Sequence, residues 1–202
     1  LPLLEGMLEA FSRQRPHTRL SATQSDDGID ALLGQRADVV LCMDNALPDS
    51  ADIVARALGS VHHVLVVSPR LLAQTDRPDH PDSIPDQHYL SHAVATPSRQ
   101  QTPTSRRRSS ARFTSNNVSA LLAAARAGMG YARLPLYLCH ADLQEGGLRT
   151  VFESHNTPPQ PLHALTLQER AMSQAALGFV QFARRHLALS QLPGITPVDK
   201  LD

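Results

Sequence analysis

The polar stretch Ser115, Asn116 and Asn117 stands directly before an alanine-rich segment with the spacing of a helix. Ser115 or Asn116 offers a side-chain oxygen that accepts hydrogen bonds from the first amides of such a helix. A helix start also carries unpaired N–H donors and a partial positive charge. The stretch therefore suits the binding of a carboxylate or another oxygen-rich small molecule, although an ordinary capped helix accounts for the same residues.

The residues after this stretch predict a helix, a glycine stop, a short strand and a second helix. Gly128 suits the left-handed residue that ends a helix. Residues 130–134 are short and apolar, as buried strands in α/β sheets are. Pro135 is placed to open the next helix at its first position. This order places the start of the helix over 116–127 at the edge of a sheet, directed at a cleft.

The composition indicates a globular protein that does not act on nucleic acid or membranes by itself. The chain has 202 residues, 42% of them hydrophobic, which suits one moderate domain or two small lobes. Its 19 basic residues balance 19 acidic ones, so no excess positive charge is present to bind phosphate backbones. No apolar run approaches the roughly 20 residues that cross a bilayer, and the first residues do not resemble a signal peptide. We therefore expect a cytoplasmic protein with no membrane partner.

Helices and strands alternate along the chain. Leu4, Leu8 and Phe11 form the apolar stripe of a first helix, which Pro16 stops. A strand over 18–23, a short helix ending at Gly34 and a buried strand over 38–43 form a βαβ unit, which predicts a parallel pair. Further strands are expected over 53–58, 61–67, 89–95 and 162–167, further helices from Pro69 and over 173–189, and a tail over 193–202.

The cysteines and the paired histidines do not predict a metal or redox site. Cys42 and Cys139 lie far apart in sequence, each inside an apolar segment, which favours reduced core thiols over a disulfide. His62 and His63 are consecutive in a predicted strand, so their side chains point to opposite faces of the sheet. We expect no metal and no cofactor.

Catalytic motifs are also lacking. Asp26 and Asp27 are more typical of helix caps than of a catalytic carboxylate pair. The arginines over 106–108 have no interleaved aromatic residues, so a solvated turn is favoured over a nucleic-acid patch. No Gly-x-Ser-x-Gly motif or phosphate loop is present, so we do not expect an enzyme.

Several short motifs together carry a resemblance to a known family. They comprise Phe11 with Pro16, residues 33–41, residues 66–72, residues 127–135, and Gly147-Leu148 with the closing helix around 179–182. Their order and spacing, over residues 1–189, resemble the effector-binding domain of LysR-type transcriptional regulators. Residues 49–72 and 84–92 further resemble the subgroup close to the CrgA regulator.

The resemblance implies an α/β fold like that of type 2 periplasmic binding proteins. Two Rossmann-like lobes are joined by two crossover strands, with a small-molecule cleft between them. Lobe I comprises 1–67 and 166–189, lobe II comprises 68–165, and 190–202 forms the C-terminal tail. The crossovers lie near 66–68 and 164–166.

The resemblance also implies the residues of the cleft. In open α/β sheets, ligands bind beyond the carboxyl ends of the strands. Ser25 is the best match to a ligand-binding hydroxyl of the family. The ligand-binding candidates are Ser25, Met43, Asp44, Thr96, Pro97, Ser98, Asn116 and Asn117.

The implied function is effector sensing for transcription. The small molecule is expected to be anionic, and the domain to act as a homodimer or homotetramer. DNA is expected to be contacted only through an N-terminal winged helix-turn-helix domain that is absent from this chain. The family domain opens with a strand before the first helix, whereas this chain begins at that helix, so one wall of the cleft is expected to be missing. The alternative is a solute-binding protein of a transporter, which shares the cleft.

Overall fold

The structure divides the chain into two compact units. The computed structural model describes residues 2–43, 49–74, 78–93, 110–155, 157–168 and 173–198. Unit 1 comprises residues 1–62 and 159–202, and unit 2 comprises residues 63–158. The helices and strands, in chain order, are α1 (Pro2–Gln14), α2 (Gly28–Leu33), β1 (Val40–Cys42), β2 (Ile53–Val61), β3 (His63–Val67), α3 (Pro69–Gln74), β4 (Tyr89–His92), β5 (Phe113–Ser115), α4 (Val118–Arg126), β6 (Tyr131–Pro135), α5 (Leu136–Glu145), β7 (Arg149–Thr150), β8 (Gln160–Leu167), α6 (Gln174–Ser190) and β9 (Ile195–Pro197).

Unit 1 is built on a four-stranded antiparallel sheet in the order β1-β8-β2-β9. Helices α1 and α6 pack against each other through the rings of Phe11 and Phe179, whose centroids are 5.2 Å apart. The helix predicted over 173–189 is confirmed as α6, which buries Ala176, Val180 and Leu187. In α1 the buried positions are Leu3, Met7 and Phe11, not Leu4 and Leu8, which are half-buried.

The predicted βαβ unit at the start of the chain is wrong. Residues 18–23 form no strand, and Leu20 within them is 41% exposed. A strand requires a hydrogen-bonded neighbour, and none pairs with this segment in the described part of the chain. The strand predicted over 38–43 is present as the shorter β1. It pairs antiparallel with β8, with Cys42 opposite His163.

Unit 2 contains a mixed sheet in the order β5-β4-β6-β3-β7. Strand β4 is parallel to both β5 and β6, whereas β3 is antiparallel to β6 and β7. The predicted start of α3 is confirmed, since the Ser68 hydroxyl accepts a hydrogen bond from the Leu71 N–H at 3.2 Å. One face of the sheet buries the side chains of Leu65, Val67, Leu71, Ile84, Tyr89, Tyr131 and Val151.

The chain passes between the units at residues 62–63 and again at residues 158–159. Both passages precede residues 66–68 and 164–166, where the resemblance to LysR-type regulators implies the crossovers. Strand β3 pairs along its length with strands of unit 2, and β8 pairs along its length with strands of unit 1. Residues 66–68 and 164–166 therefore each lie wholly within one unit.

The segment expected to be a plain C-terminal tail contains a strand. Ile195–Pro197 forms β9, which pairs with the last three residues of β2. Gly194, with φ of 74°, turns the chain back toward the sheet after α6.

Candidate functional site

Three parallel strands end at the same edge of unit 2. Strands β4, β5 and β6 finish at His92, Ser115 and Pro135, and each end is followed by a loop or a helix start. Helix α4 begins just after β5, and α5 begins directly after β6. Loops and helix starts converge at such an edge, which is where ligands bind in open α/β sheets.

The turn from β5 into α4 is organised by Asn117. Its side-chain oxygen accepts hydrogen bonds from the N–H groups of Ser119 at 2.8 Å and Ala120 at 3.4 Å. Its own N–H donates to the Ser115 hydroxyl at 3.0 Å. The cap is therefore Asn117, and not Ser115 or Asn116 as the sequence predicts, because Asn117 is the residue with extended dihedral angles directly before the first helical residue.

The cap decides how Asn117 can interact with a ligand. Its Oδ1 is engaged by the helix, so its side chain can offer a ligand only the Nδ2 donor. The nine residues of α4 contribute the partial positive charge of a helix N-terminus at this edge. The arrangement favours an acceptor group that carries negative charge.

His92 adds a second polar side chain to the edge. Its Nε2 lies 3.1 Å from the backbone carbonyl oxygen of Asn116. A carbonyl accepts, so Nε2 donates this hydrogen bond and the neutral ring has Nδ1 as its acceptor. The sequence gives no signal for this contact, since it joins a side chain to a backbone atom 24 residues away across two parallel strands.

Two glycines allow close packing at the opposite end of these strands, where β4 and β6 begin. Gly128 has φ of 74°, as the sequence predicts for the residue that ends α4, and a Cβ there would lie 3.1 Å from the Ser68 hydroxyl oxygen. A Cβ on Gly130 would lie 2.5 Å from the carbonyl oxygen of His88. Any larger residue at position 130 would separate β6 from the segment that leads into β4.

Two ligand-binding candidates are described in unit 1. The Ser25 hydroxyl oxygen accepts the N–H of Asp27 at 3.0 Å, in the exposed turn before α2. Met43 follows β1 directly and is half-buried. Asp27 occupies the cap position of α2, as the sequence predicts for this aspartate pair, but its side chain makes no capping hydrogen bond.

The structure brings together only some of the predicted ligand-binding residues. Asn116 and Asn117 lie at the carboxyl edge of unit 2 beside His92, whereas Ser25 and Met43 belong to unit 1. Asp44, Thr96, Pro97 and Ser98 lie outside the described residues.

Two titratable groups of α5, the helix that begins at this edge, have pKa values raised by burial. Burial raises the pKa of the Tyr137 hydroxyl to about 12 and that of the Cys139 thiol to about 11. Neither cysteine forms a disulfide, and Cys139 is buried while Cys42 is half-buried.

Among the described residues, no group of three or more His, Cys, Asp or Glu side chains is placed to hold a metal ion. Within the same ranges, no helix is long and apolar enough to cross a membrane.

Comparison with known families decides what kind of domain this is. Residues 2–188 match the LysR substrate binding domain. The chain belongs to this family. The α/β fold with two lobes of the type 2 periplasmic-binding-protein kind is thereby confirmed, as is the expected likeness to CrgA.

Solved structures show the same fold at low sequence identity. The regulatory domain of CrgA from Neisseria meningitidis, a LysR-type transcriptional regulator, is 22% identical with a TM-score of 0.74, and the match covers 91% of each chain. The regulatory domain of the LysR family regulator MetR from N. meningitidis is 16% identical with a TM-score of 0.66, over 98% of this chain and 94% of that one.

A full-length regulator extends well beyond the matched region. AphB, the virulence activator of Vibrio cholerae, is 23% identical with a TM-score of 0.68, and the match covers 90% of this chain but only 62% of AphB. A search of curated proteins found no match to the sequence.

Proposed function

We propose that this LysR substrate binding domain senses a small anionic effector, bound between its two lobes, for a DNA-binding transcriptional regulator. Family membership supports the regulatory role over that of a transporter component. The proposed negative charge of the effector rests on one observation, the start of α4. There Asn117 caps a nine-residue helix at the carboxyl edge of three parallel strands.

Each contributor to the proposed site has a distinct role. Asn117 donates through Nδ2 while its Oδ1 holds the helix start in place. Ser25 accepts the Asp27 N–H at its oxygen, so its hydroxyl hydrogen remains to be donated to an effector oxygen. Met43, Asp44, Thr96, Pro97, Ser98 and Asn116 complete the proposed site.

The effector would act by shifting populations. A ligand that binds closed and open lobe arrangements with different affinity favours one of them. In a DNA-binding regulator of this family, such a shift would change the spacing of the DNA-binding domains. We propose a homodimer or homotetramer that associates through α1, with Arg13 and Arg19 near the interface.

A thermal-shift screen tests the proposal. The panel consists of small mono- and dicarboxylates, each paired with its neutral amide as a matched control of the same shape. A ligand that binds only the folded protein stabilises it by about 2.7 kcal/mol when its concentration is one hundred times Kd. The Tm therefore rises as the ligand concentration increases. We expect carboxylates, and not their amides, to raise the Tm. Equal shifts from acids and amides would contradict the anionic assignment.

A further inference from the structure

The end of strand β2 is paired on both of its sides. Gly59, Ser60 and Val61 face Leu162, Pro161 and Gln160 of β8 on one side. On the other side the same three residues face Pro197, Thr196 and Ile195 of β9. The C-terminal strand therefore covers the edge of β2 at the point where the chain is about to leave unit 1.

Backbone hydrogen bonds attach β9 and its turn to the passage between the units. The His62 N–H donates to the carbonyl oxygen of Gly194 at 2.7 Å, and the Val198 N–H donates to that of Leu58 at 3.3 Å. His62 is the last residue of unit 1 before the chain enters unit 2, and β3 begins at the next residue. The C-terminal segment thus holds the backbone of the connecting residue itself.

This pairing depends on a close approach at Gly59. A Cβ on Gly59 would lie 2.5 Å from the carbonyl oxygen of Thr196 and 3.1 Å from the Cα of Pro197. The pairing of β2 with β8 also shifts register between Ala57 and Gly59. A bulge of this kind bends the strand and changes the direction in which the chain continues. Because backbone atoms of β9 occupy the space of the missing side chain, any other residue at this position must displace the strand.

We propose that β9 is a strap that restrains the first connection between the two units and so limits the range of arrangements they adopt. With β9 in place, the last residues of β2 are held from both sides. Without it, Leu58 and His62 lose hydrogen-bond partners and β2 becomes an open edge. A three-residue strand is a small unit that opens at a lower free energy than the sheet core, so its release can act as a control point.

Amide hydrogen exchange and spin-label distances test the strap together. Gly59→Ala displaces β9 while keeping it in the chain, and a chain ending at Ser190 removes it. Gly178→Ala is the matched control, since no atom lies within 4 Å of the added Cβ. Distances are measured between exposed labels at Gln181→Cys in α6 and Gln144→Cys in α5, in a background of Cys42→Ser and Cys139→Ala.

If β9 restrains the first connection between the units, we expect two linked results. In Gly59→Ala and in the shortened chain, the His62 amide exchanges at least about tenfold faster. The Gln168 amide, which donates to the carbonyl oxygen of Asp52 at 3.0 Å in the same unit, keeps its protection. The distribution of distances between the labels broadens in both variants and not in Gly178→Ala. A fast-exchanging His62 amide with an unbroadened distribution would overturn the proposal. If the shortened chain does not fold, Gly59→Ala alone decides.

Discussion

Arg126 holds the carboxylate of Asp142 through two hydrogen bonds, Nε to Oδ1 at 2.5 Å and Nη2 to Oδ2 at 2.7 Å. The pair joins α4 to α5, the two helices that begin at the candidate edge of unit 2. The side chain of Asp142 is only 11% exposed, and its hydrogen bonds raise the pKa of Arg126. A bidentate pair of this kind fixes geometry as well as contributing energy.

Removing the arginine should therefore destabilise the protein. We expect Arg126→Ala to lower the free energy of unfolding by about 1.5 to 3 kcal/mol, because it leaves a largely buried carboxylate without its charged donor. Urea unfolding measures the change. The exposed Arg149 serves as the control, since Arg149→Ala should stay within about 0.5 kcal/mol of wild type. Equal effects of the two variants would show that the pair has no structural role.

Removal of a buried hydroxyl in unit 2 should not destabilise the protein, in contrast to the loss of Arg126. Tyr131 is 1% exposed, and its hydroxyl has no hydrogen-bond partner among the described residues. An unsatisfied buried polar group costs about 1 to 3 kcal/mol. Tyr131→Phe should thus leave stability unchanged or raise it by about 1 kcal/mol, whereas Tyr131→Ala should cost about 3 to 5 kcal/mol through lost packing. Thermal or urea unfolding distinguishes the two, and a large loss in Tyr131→Phe would reveal a hidden partner.

The buried thiol of Cys139 predicts a dependence on alkaline pH. Its sulfur donates toward the carbonyl oxygen of Pro135 at 3.5 Å, and burial raises its pKa from 9.0 to about 11. A raised pKa in the folded state contributes stability that is complete below pH 9 and lost as pH rises toward 11. Between these values the free energy of unfolding should fall less steeply with pH in Cys139→Ala than in wild type. Parallel slopes would contradict the assignment.

The balanced charge of the chain predicts that it does not recognise DNA alone. Nineteen basic residues are offset by nineteen acidic ones, so phosphate contacts have no net electrostatic support. A gel assay with a duplex probe and a scrambled duplex should show no difference between them. A shift of the duplex probe, but not of the scrambled duplex, that persists at about 200 mM salt would contradict this prediction.

The elements predicted well are those with complete local signals. Helix α6 has an apolar stripe and the cap Ser173, whose hydroxyl oxygen accepts the Ala176 N–H at 3.1 Å. The order of α4, Gly128 and β6 likewise follows from neighbouring residues. In each case the residues that determine the structure lie within a few positions of one another.

The elements predicted poorly depend on distant partners. Strand β1 pairs with β8, which lies more than one hundred residues later, and this removes the expected parallel pair. Strand β9 forms only because the edge of β2 accepts it. Strand formation depends on neighbours as much as on composition, so a periodic pattern could not supply these pairings.

In the candidate site, too, the local features were predicted and those that depend on distant partners were not. The helix start near 116–117 is a local feature, and the sequence located it to within two residues. The placement of His92 on the Asn116 carbonyl depends on the register of β4 and β5, which no local pattern reveals. The motif order that resembles LysR-type regulators supplied what local chemistry could not, namely the two-lobed fold.

Calorimetry on Asn117 variants tests the central claim most directly, using the carboxylate that gives the largest thermal shift. Asn117→Ser keeps a capping oxygen, but its one hydroxyl hydrogen leaves from that oxygen and not from the position of Nδ2. Affinity should therefore fall about ten- to a hundredfold, or 1.5 to 3 kcal/mol, with little change in stability. Asn117→Asp also keeps the cap but adds a negative charge, so binding should be weaker still. Ser25→Ala should lose affinity in the same range as Asn117→Ser. Unchanged affinity in all three variants, with folding intact, would contradict the account.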